Sequence, residues 1–273
     1  MPLYQAIVLA VIQGLTEFLP VSSTGHLVLF PWLLGWKDPG LTFDVALHAG
    51  TLLAVVAYFW RMWFDMLMAA VGVGDSKDPE FHQKRRLFWL LVAATIPGAL
   101  AGYAFEKAAE NEFRTPVMIG IALIVVALAM WAGEAATRDS KPLMQVNLPD
   151  ALLVGIAQAF AVIPGVSRSG STMTAGLFRN MKRETAARFS FLMSAPIVAG
   201  AVLLKSLQVH HQGGLPPDMR IPFLAGIIAS AVVGFFVIGW LIRYLERRTF
   251  KLFVIYRLVL GVIVLALGLG LHR

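Results

Sequence analysis

Glu17 stands in an otherwise apolar run, four positions after Gln13 and six before Ser23. On a helix Gln13 and Glu17 share a face. A carboxylate in a hydrophobic segment marks a functional site by default, because lipid penalises its charge. Pro20 breaks the run, and the turn Ser22-Ser23-Thr24-Gly25-His26 then supplies hydroxyls, a flexible glycine and an imidazole ahead of a second apolar stretch. The first amides of a helix lack intrahelical partners and carry the positive end of its dipole, so this turn is suited to an anion. An offset of 145 residues carries Gln13 onto Gln158, Val21 onto Val166, Ser22 onto Ser167 and Gly25 onto Gly170. The second stretch, from Ile163 to Thr172, places Arg168 among serines, and its guanidinium fork matches phosphate oxygens bidentately. Two helix N-termini, an arginine, a carboxylate and a histidine suit a phosphorylated substrate better than a neutral solute. Phosphoryl transfer asks mainly for positioning and charge neutralisation. The plainer readings are a structural Glu17–Arg168 pair and simple capping by the hydroxyls; the serines, threonines and glycines on both stretches weigh against them.

The elements that position these residues belong in a membrane. With 58% hydrophobic residues, 14% charged residues and a mean hydropathy of +0.72, the chain has too much apolar surface for a soluble core of ordinary size. Long apolar runs without period-2 alternation exclude a barrel, which leaves an all-α polytopic membrane protein. Spans are expected at 45–60, 87–103 with a kink at Pro97-Gly98, 116–131, 189–204, 222–242 and 253–271, with a charged loop at 61–86. The segments 3–34 and 151–178, each broken by a polar turn, read as re-entrant helical hairpins, tolerated where the turn is buried in protein or lines a wet cavity. One hairpin plus three spans recurs twice, so the chain reads as a single membrane domain, 1–273, of two inverted-topology repeats. Repeat one covers 1–134, a cytoplasmic linker 135–148, and repeat two 149–273. This arrangement puts fifteen of the 23 lysines and arginines on the cytoplasmic side and six outside. The first hairpin then enters from the outer side and the second from the cytoplasmic side, their tips meeting near mid-membrane.

Met1-Pro2-Leu3-Tyr4 offers no basic region of a signal peptide, so the first segment is expected to remain. The absence of cysteine excludes disulfides, thiolate catalysis and zinc–cysteine sites. A net charge of +7 in such a chain points to cytoplasmic loops and anionic membrane lipids rather than nucleic acid.

The stretches from Gln13 to His26 and from Pro164 to Thr172 closely resemble the two signature motifs of the bacterial undecaprenyl-diphosphate phosphatases of the BacA/UppP family, and the likeness extends over essentially the whole chain. It implies a multi-pass enzyme of the bacterial inner membrane that removes the terminal phosphate of undecaprenyl diphosphate. The product, undecaprenyl phosphate, is the recycled carrier for peptidoglycan precursors. A divalent cation, Mg²⁺ or Ca²⁺, and a link to bacitracin resistance are implied as well. The resemblance assigns Glu17, Ser23, His26 and Arg168 to the reactive centre, with Ser22, Ser167, Ser169 and Thr172 lining it. Gln13, Thr24, Gly25 and Gly170, from the same two stretches, are expected to bind substrate. Gln13 stands where the family's first motif accepts Glu or Gln, which leaves Glu17 as the pair's one carboxylate and as the expected metal ligand. On this reading Ser23 Oγ attacks the terminal phosphorus, Arg168 and the cation held by Glu17 neutralise the diphosphate, and His26 acts as base and then acid. Spacing leaves open whether His26 is itself the nucleophile. The active site is expected to open toward the periplasm, and the sequence leaves a homodimer open. The competing function is a transporter or flippase of a phosphorylated polyprenyl lipid, since inverted repeats with broken helices also build carriers.

Other residues are less decisive. Asp44 and His48, four apart at the start of a span, read equally well as support for the site or as a structural pair. Arg257 is expected to snorkel or to pair across helices. His210-His211 is expected in a polar outer loop, Met62, Met66 and Met68 to pack, and Trp36, Trp60 and Trp63 to anchor span ends at the interface.

Overall fold

The computed structural model describes residues 1–111 and 113–270, residues 106–111 by their backbone alone. Its regular structure is helical apart from one isolated bridge between Lys141 and Met181. The helices are α1 (Leu3–Thr16), α2 (Ser23–Leu34), α3 (Leu41–Tyr58), α4 (Trp60–Ala70), α5 (Pro79–Asn111), α6 (Pro116–Ala136), α7 (Leu148–Ala159), α8 (Arg168–Phe178), α9 (Arg183–His211), α10 (Pro217–Leu245) and α11 (Lys251–Gly270). Six are long and apolar enough to cross a membrane: α3, α5, α6, α9, α10 and α11; α1, α2 and α7 are apolar but shorter. The chain is a multi-pass membrane protein.

The six long helices fall on the six expected spans: α5, α6, α9 and α10 reach beyond them, α3 ends at Tyr58, short of Trp60, and the expected end of the last span at 271 lies outside the described residues. Helix α5 begins at Pro79 rather than near Leu87 and runs through Pro97 without interruption. Helix α9 continues to His211, so His210 and His211 stand in its last turn and not in a loop. Hydropathy marks only the part of a helix that matches lipid, whereas its hydrogen bonds close within the segment and continue into polar sequence. The expected loop 61–86 contains α4, whose Met66 is buried while Trp60, Phe64 and Leu67 are exposed, as in a helix lying at an interface.

Close helix packing fixes the frame. Helix α10 lies along α3 and α1, α11 along α6, and α7 along α5. Small residues let such backbones approach in a membrane. A Cβ on Gly50 would stand 2.0 Å from Ser230 Oγ, and Ser230 Oγ donates to the Leu47 carbonyl at 3.0 Å. A Cβ on Gly155 would stand 2.4 Å from the Ala94 carbonyl oxygen.

At the base of α7, the Asn147 side chain accepts from the Asp150 N–H, and the Asp150 carboxylate accepts from the Asn147 N–H in return. Lys141 Nζ and Arg179 Nε each meet the same carboxylate at 2.7 Å. Burial alone would raise the Asp150 pKa, but these donors hold it below the ordinary carboxylate value. Arg183 pairs with Glu134 and Asp139. The linker is thereby tied to both ends of the α7–α8 hairpin.

Candidate active site

The two polar turns meet. Glu17 to Ser22 connect α1 with α2, and residues 163–167 lead into α8. Ser22 (φ 77) and Ser167 (φ 71), which correspond at the 145-residue offset, both occupy positive φ, a strained conformation for a residue with a side chain. Each caps its helix by accepting the N–H three residues on, Gly25 at 3.3 Å and Gly170 at 3.0 Å. Across the tips, the Gly165 N–H donates to Ser22 Oγ at 3.1 Å and Ser169 Oγ donates to the Leu19 carbonyl at 3.0 Å. Below Glu17, Phe18 packs edge-to-face on Phe191 in the largest apolar cluster, which anchors the first turn.

Arg257 of α11 clasps both turns from behind. It is fully buried and donates to the carbonyls of Pro20 (3.1 Å), Leu123 (3.2 Å), Gly165 (2.8 Å) and Val166 (3.2 Å), with a longer contact to Ala122. A guanidinium has five N–H groups in a fixed fork, and here they tie the first turn, the second turn and α6 to one side chain. Of the two expected arrangements, snorkelling is overturned and pairing across helices holds: the group turns inward and binds backbone carbonyls.

A second polar cluster surrounds Glu17. Glu17 Oε1 accepts from Arg168 Nη2 at 2.7 Å, and Arg168 Nη1 also donates to the Ser190 carbonyl at 3.1 Å. Glu17 Oε2 accepts from Ser23 Oγ at 2.6 Å and from Gln13 Nε2 at 3.0 Å, and His48 Nε2 stands 3.3 Å away. His48 Nδ1 faces the Asp44 carbonyl oxygen at 2.7 Å. Both ring nitrogens therefore face acceptors, which the doubly protonated ring satisfies. Asp44 itself turns to Arg114, 3.0 Å away. The pair left open by the sequence is divided: His48 contacts Glu17, and Asp44 pairs with Arg114.

His26 is placed differently from its expected role as base to Ser23. Its Nδ1 faces the Ser22 carbonyl oxygen at 2.6 Å, its Nε2 faces the Tyr256 hydroxyl at 2.7 Å, and the two rings are nearly parallel. A neutral ring with the proton on Nδ1 and the tyrosine donating to Nε2 satisfies both contacts. Ser23 Oγ donates to Glu17, not to His26.

The remaining predicted residues line or brace the turns. Glu17, Ser23, Thr24, His48, Ser167 and Arg168 share the wall of one cavity of about 250 Å³. Ser22, Ser169 and Thr172 spend their hydroxyls on structure: Thr172 Oγ1 lies 2.7 Å from Ser190 Oγ and donates to the Arg168 carbonyl. A Cβ on Gly25 would approach Ser22 Oγ and Gly165 Cα, and one on Gly170 would meet Ser167, so both glycines keep the tips close.

Among the described residues no group of three His, Asp or Glu side chains could hold a metal ion. Both Glu17 oxygens already face donors, whereas Gln13 Oε1, fully buried, has no hydrogen-bond partner. A resident ion in a protein cage does not fit. A cation carried on phosphate oxygens and touching one or two protein oxygens does, as is usual for Mg²⁺.

Sequence reasoning weighed His48 and Arg257 without placing them in the site and passed over Tyr256 and Ser190. An intramembrane arginine was a usable signal for Arg257, and the Asp44–His48 spacing for His48. Tyr256 has no signal apart from the fold that carries it to His26.

Comparison with known proteins agrees with this geometry. The family described as "Bacitracin resistance protein BacA" matches residues 6–263. Proteins named undecaprenyl-diphosphatase are similar along nearly their whole length: one from Moorella thermoacetica is 51% identical over 97% of this chain and 98% of its own. One from Pelotomaculum thermopropionicum is 49% identical over 98% and 97%, and one from Gemmatimonas aurantiaca is 47% identical over 97% and 98%. With its paired polar turns and a match that spans nearly every helix, this chain belongs to the BacA bacitracin-resistance family.

Proposed function

We propose that the chain hydrolyses undecaprenyl diphosphate to undecaprenyl phosphate and inorganic phosphate, with Ser23 as nucleophile. The observation that carries the reading is the contact of one carboxylate, Glu17, with both Ser23 Oγ at 2.6 Å and the Arg168 guanidinium at 2.7 Å, in the wall of a single cavity. The N-termini of α2 and α8 and Arg168 attract the terminal phosphate. Ser23 Oγ attacks its phosphorus while Glu17 Oε2 takes the hydroxyl proton; the bond from phosphorus to the bridging oxygen breaks, and the lipid monophosphate leaves. Water then attacks the phosphoserine, releasing inorganic phosphate and restoring the Ser23 hydroxyl. His26, held by Tyr256 and the Ser22 carbonyl, braces the start of α2 in this scheme. His48 holds Glu17 oriented. Mg²⁺ or Ca²⁺ carried on the diphosphate would neutralise phosphate charge, with Gln13 Oε1 as the protein oxygen left to accept it.

The same reading takes α1–α2 and α7–α8 as re-entrant hairpins of two inverted repeats, 1–134 and 149–273, joined by the cytoplasmic linker 135–148. The matched caps at Ser22 and Ser167 support it. The positive-charge bias supports an inner-membrane orientation with the site open to the periplasm. A homodimer is compatible with this arrangement.

Purified protein in detergent is expected to release phosphate from a polyprenyl diphosphate, and Ser23→Ala to lower that rate at least about 10³-fold without loss of thermal stability. Binding of the lipid without phosphate release would favour the transporter instead, and full turnover by Ser23→Ala would remove Ser23 from the chemistry.

A further inference from the structure

Gln158, in the last turn of α7, is 3% exposed and lines the same cavity as Glu17, Ser23 and Arg168. Neither its Oε1 nor its Nε2 meets a hydrogen-bond partner. Buried side-chain amides are nearly always paired, and an unpaired one costs stability, so this amide needs an account. It is held firmly in place. Gly155, one turn earlier, packs directly on the α5 backbone at Ala94, and a Cβ on Gly98 of α5 would lie 2.6 Å from Gln158 Nε2 and 2.9 Å from Ile197 Cδ1. Gly98 thus leaves the room the amide occupies.

The cavity wall has two characters. Glu17, Ser23, Ser167 and Arg168 are polar and charged; Gly98, Gly102, Ile197 and Ala201, from α5 and α9, are apolar. Gln158 Nε2 lies at the Gly98–Ile197 part of that wall. A lipid diphosphate has the matching order: terminal phosphate, lipid-side phosphate, hydrocarbon. With the terminal phosphate at Ser23 and Arg168 and the chain against α5 and α9, the lipid-side phosphate falls between them.

We infer that Gln158 is a substrate-binding residue whose Nε2–H donates to the lipid-side phosphate, the one retained on the product. This rests on the phosphatase reading of the Glu17–Ser23–Arg168 cluster. A neutral amide suits the position, because it offers N–H donors to an all-acceptor phosphate without adding a buried charge. The terminal phosphate, bound by Arg168 and the helix N-termini, does not require it.

The test uses full-length protein in detergent and two competitive inhibitors, polyprenyl monophosphate and inorganic phosphate, against Gln158→Met, of similar shape, and Gln158→Asn, which keeps the amide but withdraws it. Both variants are expected to weaken inhibition by the lipid monophosphate about tenfold or more, to leave inhibition by inorganic phosphate unchanged, and in Gln158→Met to leave the melting temperature unchanged or raised. Unchanged inhibition by the lipid monophosphate overturns the inference. So does a lowered melting temperature with both inhibition constants moving together, which is the signature of a structural role. Failure of the wild-type protein to release phosphate would instead count against the phosphatase reading itself.

Discussion

Replacing Arg168 with alanine is expected to lower kcat/KM for polyprenyl diphosphate by about 10³-fold or more, and with lysine by about 10²-fold, as measured by phosphate release from purified protein. Arg168 faces the cavity beside Ser23, and its fork already bridges Glu17 Oε1 and the Ser190 carbonyl. Lysine keeps the charge but cannot donate along two fixed directions, so it cannot hold Glu17 and a phosphate together. Alanine also leaves Glu17 with His48 as its only cationic neighbour, which changes how the carboxylate meets Ser23. An Arg168→Lys enzyme with unchanged kcat/KM would mean that the fork geometry is irrelevant and that only local charge matters.

The second large effect falls on a residue that need not touch substrate. Arg257→Met is expected to destabilise the protein by about 3 kcal/mol, seen as a drop in its melting temperature in detergent of roughly 10 °C, and to lower turnover as well. The substitution removes the donors to Pro20, Leu123, Gly165 and Val166 at once and takes that partner from the turn carbonyls of Pro20, Gly165 and Val166 in a dry interior, while Leu123, inside α6, keeps its helical N–H. Arg257→Lys, with three donors and no planar fork, should fall between the two. Activity should follow stability here because the clasp holds the two turns against each other, and the Glu17–Arg168 contact bridges those same turns. Wild-type melting with normal turnover in Arg257→Met would show that the turns are held by the Ser22–Gly165 and Ser169–Leu19 bonds alone.

The membrane class, the six spans and the meeting of the two polar turns were legible in the sequence because each has a strong physical signature. Apolar length marks spans, and a carboxylate and an arginine placed among serines in such runs mark a site. The 145-residue offset went further, since Ser22 and Ser167 share both their caps and their positive φ. Helix ends were less legible: α5 and α9 extend past their apolar segments because backbone hydrogen bonding does not stop where hydropathy does. The hydrogen-bond partners of His26 were also out of reach. His26 follows Ser23 by three positions, which suggests a nucleophile with its base, but the imidazole is turned to Tyr256, 230 positions later. Contacts such as His26–Tyr256, His48–Glu17 and Arg257 with both turns depend on how distant helices pack, which no local spacing encodes.

The central claim is that Ser23, activated by Glu17, receives the terminal phosphate. Its most direct test is to mix the enzyme with polyprenyl diphosphate labelled in the terminal phosphate, quench within the first turnover and map the labelled peptide. The expected result is an acid-stable phosphoserine at Ser23, absent in Ser23→Ala; an acid-labile phosphohistidine at His26 would overturn the assignment of Ser23.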